Sequence, residues 1–234
     1  MNVFTKLRDL VLPNMCVFCL HEVVGKDEYV CERCSEYLTR VQGSLCTSCG
    51  HAVHLCACNV PKSLTAARFV FWYRGAVKKL VHTMKEYRYD AVLDYAANRL
   101  YGVISENEYY ASFDSITYVP RHPRSYKRTL AEPSYELAKR ISEKMGIPLV
   151  KYLVRSDGGF EQKELSVKER SKNVRGVFSL AEDAPTPYGK IILVDDVMTT
   201  GNTANECARV LKKAGPCEVA GLFLTRTRRG EVIK

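Results

Sequence analysis

The segment Ile191-Ile192-Leu193-Val194-Asp195-Asp196-Val197-Met198-Thr199-Thr200-Gly201-Asn202-Thr203 decides the fold of this 234-residue chain. Its four leading apolar residues predict a fully buried strand of a parallel sheet. Two adjacent carboxylates stand where we expect that strand to end. A short loop of small and hydroxyl residues follows, and residues 204–214 then predict a helix. In a strand–loop–helix unit of this kind, backbone N–H groups and the helix N-terminus can hold a phosphate.

The same segment carries groups that suit both parts of a ribose 5-phosphate. Gly201 lets the backbone approach an anion closely, and the three threonine hydroxyls of the loop can donate hydrogen bonds to it. Asp195 and Asp196 can accept hydrogen bonds from sugar hydroxyls or bind a hard metal ion. The segment resembles the phosphoribosyl pyrophosphate (PRPP) signature of type I phosphoribosyltransferases: an apolar strand, Asp-Asp, an apolar pair and Thr-Thr-Gly-x-Thr. It lacks the Gly-Lys-Ser/Thr ending of a Walker-type loop.

Composition and charge narrow the class of protein. No apolar run approaches the roughly 20 residues of a membrane span, and residues 1–13 lack a signal-peptide cleavage site. We therefore expect a cytoplasmic protein with no membrane span, and its oligomeric state stays open. The net charge of +9 is uneven, because residues 1–60 hold 5 Lys or Arg against 6 Asp or Glu, and residues 61–234 hold 30 against 20. An excess of +10 there suits phosphorylated small molecules or nucleic acid.

Eight of the ten cysteines fall within residues 16–58 and form four close pairs. Two cysteines separated by two residues can direct both thiolates at one tetrahedral Zn²⁺. Because the expected compartment is reducing, we favour zinc over disulfides. An iron–sulfur cluster or a metal-free state is the remaining alternative. The sequential pairing predicts two structural zinc sites: Cys16, Cys19, Cys31 and Cys34, then Cys46, Cys49, Cys56 and Cys58.

Two alternatives stay open for these sites. The pairs could be interleaved, and His51 or His54 could replace one thiolate of the second site. In either case the metal would supply much of the folding free energy of a segment with so little apolar core. We therefore predict two domains, a double zinc-ribbon domain over residues 1–60 and a phosphoribosyltransferase-like domain over residues 64–234.

From residue 64 onward the pattern predicts an α/β fold with a parallel sheet flanked by helices. Strands are expected at residues 67–73, 113–120, 149–154 and 219–225, besides the strand that leads into the phosphate loop. Helices are expected at residues 75–87, 90–104 and 134–144. The first of these helices has an apolar inner face (Val77, Leu80, Val81, Met84), and so has the second (Val92, Leu93, Ala96, Ala97, Leu100).

Two polar segments between predicted strands are candidate ligand loops. Pro120 and Arg121 open a basic loop, residues 120–128, at the carboxyl end of a strand, where open α/β sheets bind ligands. Residues 155–178 are longer than a plain loop in a compact domain. We predict a lid that brings Arg170 or Lys168 over a bound pyrophosphate, with an ordinary solvated loop as the alternative.

The order of these motifs is similar to that of the ComF (competence protein F) family of bacterial phosphoribosyltransferase-like proteins, over essentially the whole chain. The shared motifs are the four-cysteine sites, Tyr73-Arg74-Gly75 before a lysine-bearing helix, Val119-Pro120 with its basic loop, Gln162-x2-Leu165-Ser166-x3-Arg170-x2-Asn173-Val174, and the PRPP signature. The resemblance implies a type I phosphoribosyltransferase fold with an N-terminal zinc-binding region. It also implies a link to the uptake of transforming DNA.

The resemblance also implies roles for particular residues. Asp195 and Asp196 would hold the ribose hydroxyls, and Pro120 and Arg121 would belong to the pyrophosphate loop. The remaining PRPP-binding residues would be Val197, Met198, Thr199, Thr200, Gly201, Asn202 and Thr203. In one place the chain departs from the family, whose members commonly carry Arg-Gly-Phe-Asn-Gln after the basic loop. Here the chain reads Arg128-Thr129-Leu130-Ala131-Glu132.

Two functions compete on this basis. As an enzyme, the protein would bind Mg²⁺–PRPP and transfer the phosphoribosyl group to an unidentified nitrogen nucleophile, with Asp195, Asp196 and Arg170 as catalytic residues. As a non-catalytic factor, it would bind single-stranded DNA or a competence helicase. In that case bases would stack on tyrosines, for which the candidates are Tyr87, Tyr89, Tyr109 and Tyr110.

Overall fold

The structure is a computed structural model, and it describes most of the chain from residue 15 to residue 227. The described residues are 15–19, 21–23, 29–37, 46, 48–50, 53, 56, 58, 60–86, 90–105, 107–122, 132–156 and 176–227. Six helices and six strands lie in this part of the chain.

The elements alternate along the chain, as the sequence predicts. The helices are α1 (Glu32–Tyr37), α2 (Ala76–Glu86), α3 (Asp90–Ser105), α4 (Glu108–Ala111), α5 (Pro133–Met145) and α6 (Asn202–Ala214). The strands are β1 (Ala66–Trp72), β2 (Ser115–Tyr118), β3 (Leu153–Arg155), β4 (Phe178–Leu180), β5 (Gly189–Met198) and β6 (Cys217–Arg226).

The main sheet is parallel, and its strand order is β1-β6-β5-β2. The two central strands, β5 and β6, are its longest, and the side chains from Ile191 to Val194 are fully buried. A strand that is covered on both faces needs apolar side chains in both directions. This requirement explains why the sequence there is a continuous apolar run rather than an alternating one.

Helices cover both faces of this sheet, and the predicted inner faces of α2 and α3 are confirmed. One apolar cluster joins α2, α3 and α5 to Ile192 and Val194. The other cluster joins α6 to Ile191 and Leu193. The apolar positions predicted for α2 and α3 are all buried, and Tyr95 joins them on α3.

One predicted strand divides into two parts. Residues 149–154 were expected to form a single strand, but Leu149 makes only an isolated parallel bridge to Ile116, beside β2. The chain then leaves the sheet, and β3 pairs with β4 in a separate two-stranded antiparallel sheet. The ladder at Arg155 and Phe178 therefore joins the two ends of the predicted lid segment.

The cysteine-rich segment packs on the sheet domain at two places. Phe18 makes an edge-to-face contact with Tyr95 of α3, with ring centroids 5.6 Å apart, and it belongs to the same apolar cluster. At the outer edge of the sheet, the Ala67 N–H of β1 donates to the Ser48 carbonyl at 2.7 Å. This bond covers part of an edge strand that would otherwise leave its polar groups unpaired.

The predicted boundary between residues 60 and 64 stays a prediction. Among the described residues, none of the helices has the length and apolar character that a membrane span requires.

Candidate functional site

The predicted phosphate loop, residues 199–203, follows β5, but the strand ends later than the sequence predicts. We expected β5 to stop at the two carboxylates, whereas it continues to Met198 because β6 pairs with it as far as Arg226. The chain then turns through residues 199–201 into α6. Gly201 caps the helix with φ of +80°, a left-handed conformation that glycine adopts without steric cost.

A small cleft, partly open to solvent, lies at this turn. It is lined by Asp195, Val197, Met198, Thr199, Gly201, Thr203, Ala204 and Phe223. Six of these eight belong to the predicted PRPP-binding set. Thr200 and Asn202 are exposed on the same turn and lie outside the lining. The first turn of a helix has backbone N–H groups without intrahelical partners, so the N-terminus of α6 gives this cleft an anion-binding character.

The two carboxylates point to opposite sides of β5, because successive side chains of a strand alternate. Asp195 lines the cleft, and its Oδ1 accepts hydrogen bonds from Ser134 Oγ and from the Asp196 backbone N–H, both at 2.9 Å. Asp196 is 7% exposed and pairs with Lys85 of α2, with Oδ2 and Nζ 2.8 Å apart. The structure therefore places only Asp195 on the cleft wall.

The environment of Asp195 favours its protonated form. Burial, and after it the charge of Asp196, raise the pKa of Asp195 to about 8, although the Ser134 hydrogen bond acts in the opposite direction. In either protonation state, the carboxyl group keeps an oxygen that can accept a hydrogen bond from a sugar hydroxyl.

Arg155 is a candidate ligand residue for which no sequence motif predicts a role. It ends β3, and its guanidinium lies 5.4 Å from the centroid of the Phe178 ring. Its Nε is buried and makes no hydrogen bond in the described part of the chain. Burial lowers the pKa of Arg155, and the nearby charge of Asp195 is among the effects that oppose this. The available signal was a basic residue at the end of a predicted strand, where ligand loops begin.

Pro120 and Arg121, at the start of the basic loop, lie in the described residues. A hydrogen bond of Arg121 shows what Glu132 does at the position where the family pattern has Gln. Pro120 is buried, and the Arg121 backbone N–H donates to Glu132 Oε1 at 3.2 Å. Glu132 stands where family members carry Gln, whose side-chain carbonyl can accept the same bond. The acceptor at this position is therefore retained, while Arg128 and Ala131 lie outside the described residues.

The eight cysteines form two groups, and the grouping is the sequential one. Cys16, Cys19, Cys31 and Cys34 lie together, as do Cys46, Cys49, Cys56 and Cys58, with the sulfurs of each group within 4.8 Å of one another. Individual sulfur–sulfur distances are 3.3–3.7 Å. Tetrahedral zinc with bonds of about 2.3 Å would hold its sulfurs roughly 3.8 Å apart, so both groups fit the ion.

The segment after the second cysteine group lies against the phosphate loop. The Ser63 N–H donates to Asn205 Oδ1 in the first turn of α6, at 2.9 Å. Pro61 covers Gly201 so closely that a β-carbon added there would lie 2.7 Å from Pro61 Cγ. On the other side of the second group, Arg226 donates to the Cys49 carbonyl at 3.2 Å. The second cysteine group is thus attached to the sheet edge and, three residues later, to the phosphate loop.

Two of the four tyrosines predicted for base stacking can be located. Tyr110 is fully buried and stacks on Phe113, because its ring fills the space between α4 and β6. Tyr109 is half-buried, and its hydroxyl donates to the carboxylate of Glu218. The stacking role is wrong for Tyr110. Four other residues singled out in the sequence lie outside the described residues, namely Tyr87, Tyr89, His51 and His54, and so do Lys168, Arg170 and most of the predicted lid.

Comparison with family models gives the class of protein. A model described as Phosphoribosyl transferase domain matches residues 129–232, and one described as Double zinc ribbon domain matches residues 7–63. The chain therefore carries a double zinc ribbon followed by a type I phosphoribosyltransferase fold, a parallel sheet flanked by helices. The two four-cysteine groups are the sites of the ribbon.

Two bacterial relatives make the assignment more specific. Competence protein F of Haemophilus influenzae is 36% identical over 107 residues, which are 45% of this chain and 46% of that protein. The DNA utilization protein YhgH of Escherichia coli is 26% identical over 228 residues, covering 93% of this chain and 99% of that protein. The chain is thus a homologue of both, and the matches confirm the resemblance to the ComF family.

The match to competence protein F spans about half the length of that relative. Among solved structures, an orotate phosphoribosyltransferase from Aeropyrum pernix aligns over 66% of each chain. Its sequence identity is 19% and its TM-score is 0.40.

Proposed function

We propose that the cleft between β5 and α6 binds PRPP, and that the protein transfers the phosphoribosyl group to a nitrogen nucleophile. The observation that carries this proposal is the position of Asp195 on the wall of a cleft that the Gly201 turn also lines. The turn suits the 5-phosphate, since it combines threonine hydroxyls with the N-terminus of α6. Asp195, on the wall of the same cleft, suits a hydroxyl of the ribose.

The residues around the cleft suit the charge changes of such a transfer. The bond between C1 and the pyrophosphate oxygen would break, the bond between C1 and the acceptor nitrogen would form, and pyrophosphate would leave. Positive charge develops on the ribose ring, and Asp195 in its ionised form would stabilise it. Arg155, with its unpartnered Nε, and Arg121 at the start of the basic loop are the cations that suit the departing pyrophosphate.

Mg²⁺ would enter with the pyrophosphate and neutralise part of its charge. The ion needs few protein ligands, since it keeps water and phosphate oxygens in its shell. Asp195 is the carboxylate on the cleft wall that could contribute an oxygen to it.

Calorimetric titration of PRPP with Mg²⁺ tests the proposal. We expect the wild type to bind, and Asp195→Asn to weaken binding by roughly tenfold or more above about pH 8, where Asp195 is ionised and its hydrogen bond to the ligand is charge-assisted. Asp183→Asn is the matched control, because that aspartate is exposed in the turn before β5. Ribose 5-phosphate and pyrophosphate, titrated separately, show which half of the ligand each variant affects. Absence of PRPP binding by the wild type would refute the proposal.

A second candidate function is non-catalytic DNA handling, which the name of the Escherichia coli relative and the charge of +10 on residues 61–234 favour. In that case PRPP would bind without release of pyrophosphate when a panel of bases and amines is supplied. Affinity for a labelled single strand would fall steeply between about 50 and 200 mM salt. Each phosphate contact adds roughly one unit to the slope of log affinity against log salt concentration. A flat salt response would rule out this function, as would the absence of strand binding at low salt.

A further inference from the structure

Lys85 forms an ion pair with one of the two adjacent aspartates, Asp195 and Asp196, which we call the acid pair. It lies in the last turn of α2, and its Nζ is 2.8 Å from Asp196 Oδ2. The Asp196 side chain is 10% exposed and the Lys85 side chain 44%, so the lysine closes the carboxylate off from solvent. The preceding residue, Met84, is fully buried against the sheet and fixes the end of the helix at this place.

Lys85 also compensates negative charge of the acid pair. Two adjacent aspartates in the middle of a sheet would repel each other and any phosphate ligand, because like charges in a poorly solvated site interact strongly. Lys85 compensates the charge of Asp196, and because Asp195 is protonated below about pH 8, the three side chains together carry no net charge there. Burial lowers the pKa of Lys85, but the charges of Asp196 and Asp195 outweigh it and raise that pKa, so the lysine stays protonated.

We propose that Lys85 is a positioning residue for ligand binding: by holding and neutralising Asp196, it leaves Asp195 as the carboxylate that faces the ligand. This inference rests on the proposed function and adds a residue from α2, an element outside the cleft lining. Lys85 would act through Asp196 and not by contact with the ligand. Within the part of the chain that the structure describes, the other titratable or charged groups near the acid pair are Tyr73, Arg155 and Cys207.

A double-mutant cycle with Lys85→Met and Asp196→Asn tests this role, read as PRPP affinity in calorimetry. Lys85→Met should weaken binding about tenfold, which corresponds to about 1.4 kcal/mol. In the Asp196→Asn background, the same replacement should change affinity less than about twofold, since residues that act as one unit are not additive. A full tenfold loss in that background would mean direct contact with the ligand, and it would overturn the proposal.

Rescue by the conservative variant gives a second readout that a merely structural role would not move. Lys85→Arg keeps a cation within reach of the Asp196 carboxylate and should recover most of the affinity lost in Lys85→Met. Lys79→Met is the matched control, because Lys79 is exposed on another side of α2. A loss of affinity in Lys85→Arg as large as that in Lys85→Met contradicts the proposal.

Thermal unfolding separates failure of this inference from failure of the proposed function. If the wild type does not bind PRPP, the proposed function fails. The role of Lys85 can then still be read from stability. Lys85→Met leaves a buried carboxylate unpaired and should lower the unfolding midpoint, whereas Lys85→Met with Asp196→Asn should recover most of the loss. Equal midpoints for the single and double variants would overturn the pairing itself.

Discussion

Replacement of Gly201 by alanine tests whether the linker after the second cysteine group, residues 61–63, shapes the phosphate loop. Two separate penalties are expected at this position. The residue has φ of +80°, and an L-residue in the left-handed region costs about 1–2 kcal/mol. The added β-carbon would also lie 2.7 Å from Pro61 Cγ, well inside an ordinary contact distance. Pro61 is a ring held in a turn by the Leu64 N–H, so it cannot move aside like the end of a flexible side chain.

The magnitude follows from these two terms. Overpacking of a tight site costs about 1–3 kcal/mol, so Gly201→Ala should lower the free energy of unfolding by about 2–5 kcal/mol. Gly102→Ala is the matched control, because Gly102 lies in α3 with open space around its α-carbon. Alanine is the better helix former by about 1 kcal/mol, and this control should therefore stabilise the protein.

Pro61→Ala separates the two terms, since it removes the Cγ atom that the new β-carbon would meet. In that background Gly201→Ala should cost only the backbone term, so the double variant should be more stable than the sum of the single variants by about 1–3 kcal/mol. Urea unfolding with zinc present is the assay, and Trp72 is its reporter. Trp72 is the one tryptophan of the sequence, and it packs 5.0 Å from the Phe69 ring. Additive costs within about 0.5 kcal/mol would refute the contact between linker and loop.

Three further predictions concern the metal sites, the acid pair and the basic loop. Native mass spectrometry should find two zinc ions per chain and one after Cys58→Ser, and a wild type with fewer than two contradicts the assignment. The raised pKa of Asp195 means that the folded state keeps a proton that the unfolded chain loses between about pH 4 and about pH 8, so stability falls as pH rises through that window. Asp195→Asn should remove this fall in thermal scans at pH 5 and pH 8, and parallel curves for variant and wild type would exclude it. Glu132→Gln keeps an acceptor for the Arg121 N–H and should leave PRPP affinity within about twofold, whereas Glu132→Ala should weaken it. Equal losses in the two variants would show that the charge of Glu132 is what matters.

The sequence predicted those features that depend on local periodicity. The inner face of α2 follows a 3.6-residue repeat, and the run from Ile191 to Val194 has the uniform apolar character of a strand covered on both faces. The close cysteine pairs likewise indicated two metal sites, since each pair brings two thiolates together within one turn. In each case neighbours in sequence are also neighbours in space.

Features that depend on distant contacts could not be predicted in this way. Tyr95 is buried because Phe18, 77 residues earlier, packs against it, and no pattern within α3 shows that partner. The extension of β5 past its carboxylates depends on pairing with β6 as far as Arg226. Similarly, α2 carries three lysines, and only the packing of the helix on the sheet decides which of them reaches Asp196.

The alternation of β5 has a consequence for how the two carboxylates can act. As long as the strand continues through them, Asp195 and Asp196 lie on opposite faces and cannot both reach one ribose. The pairing of β6 with Val197 and Met198 maintains that geometry, and the ion pair with Lys85 keeps Asp196 on its own side. Equal participation of both carboxylates in the diol contact would therefore require this ladder to open at its end. With the ladder closed, our proposal gives the ligand contact to Asp195, and Asp196 would act on it through the charge that it shares with Lys85.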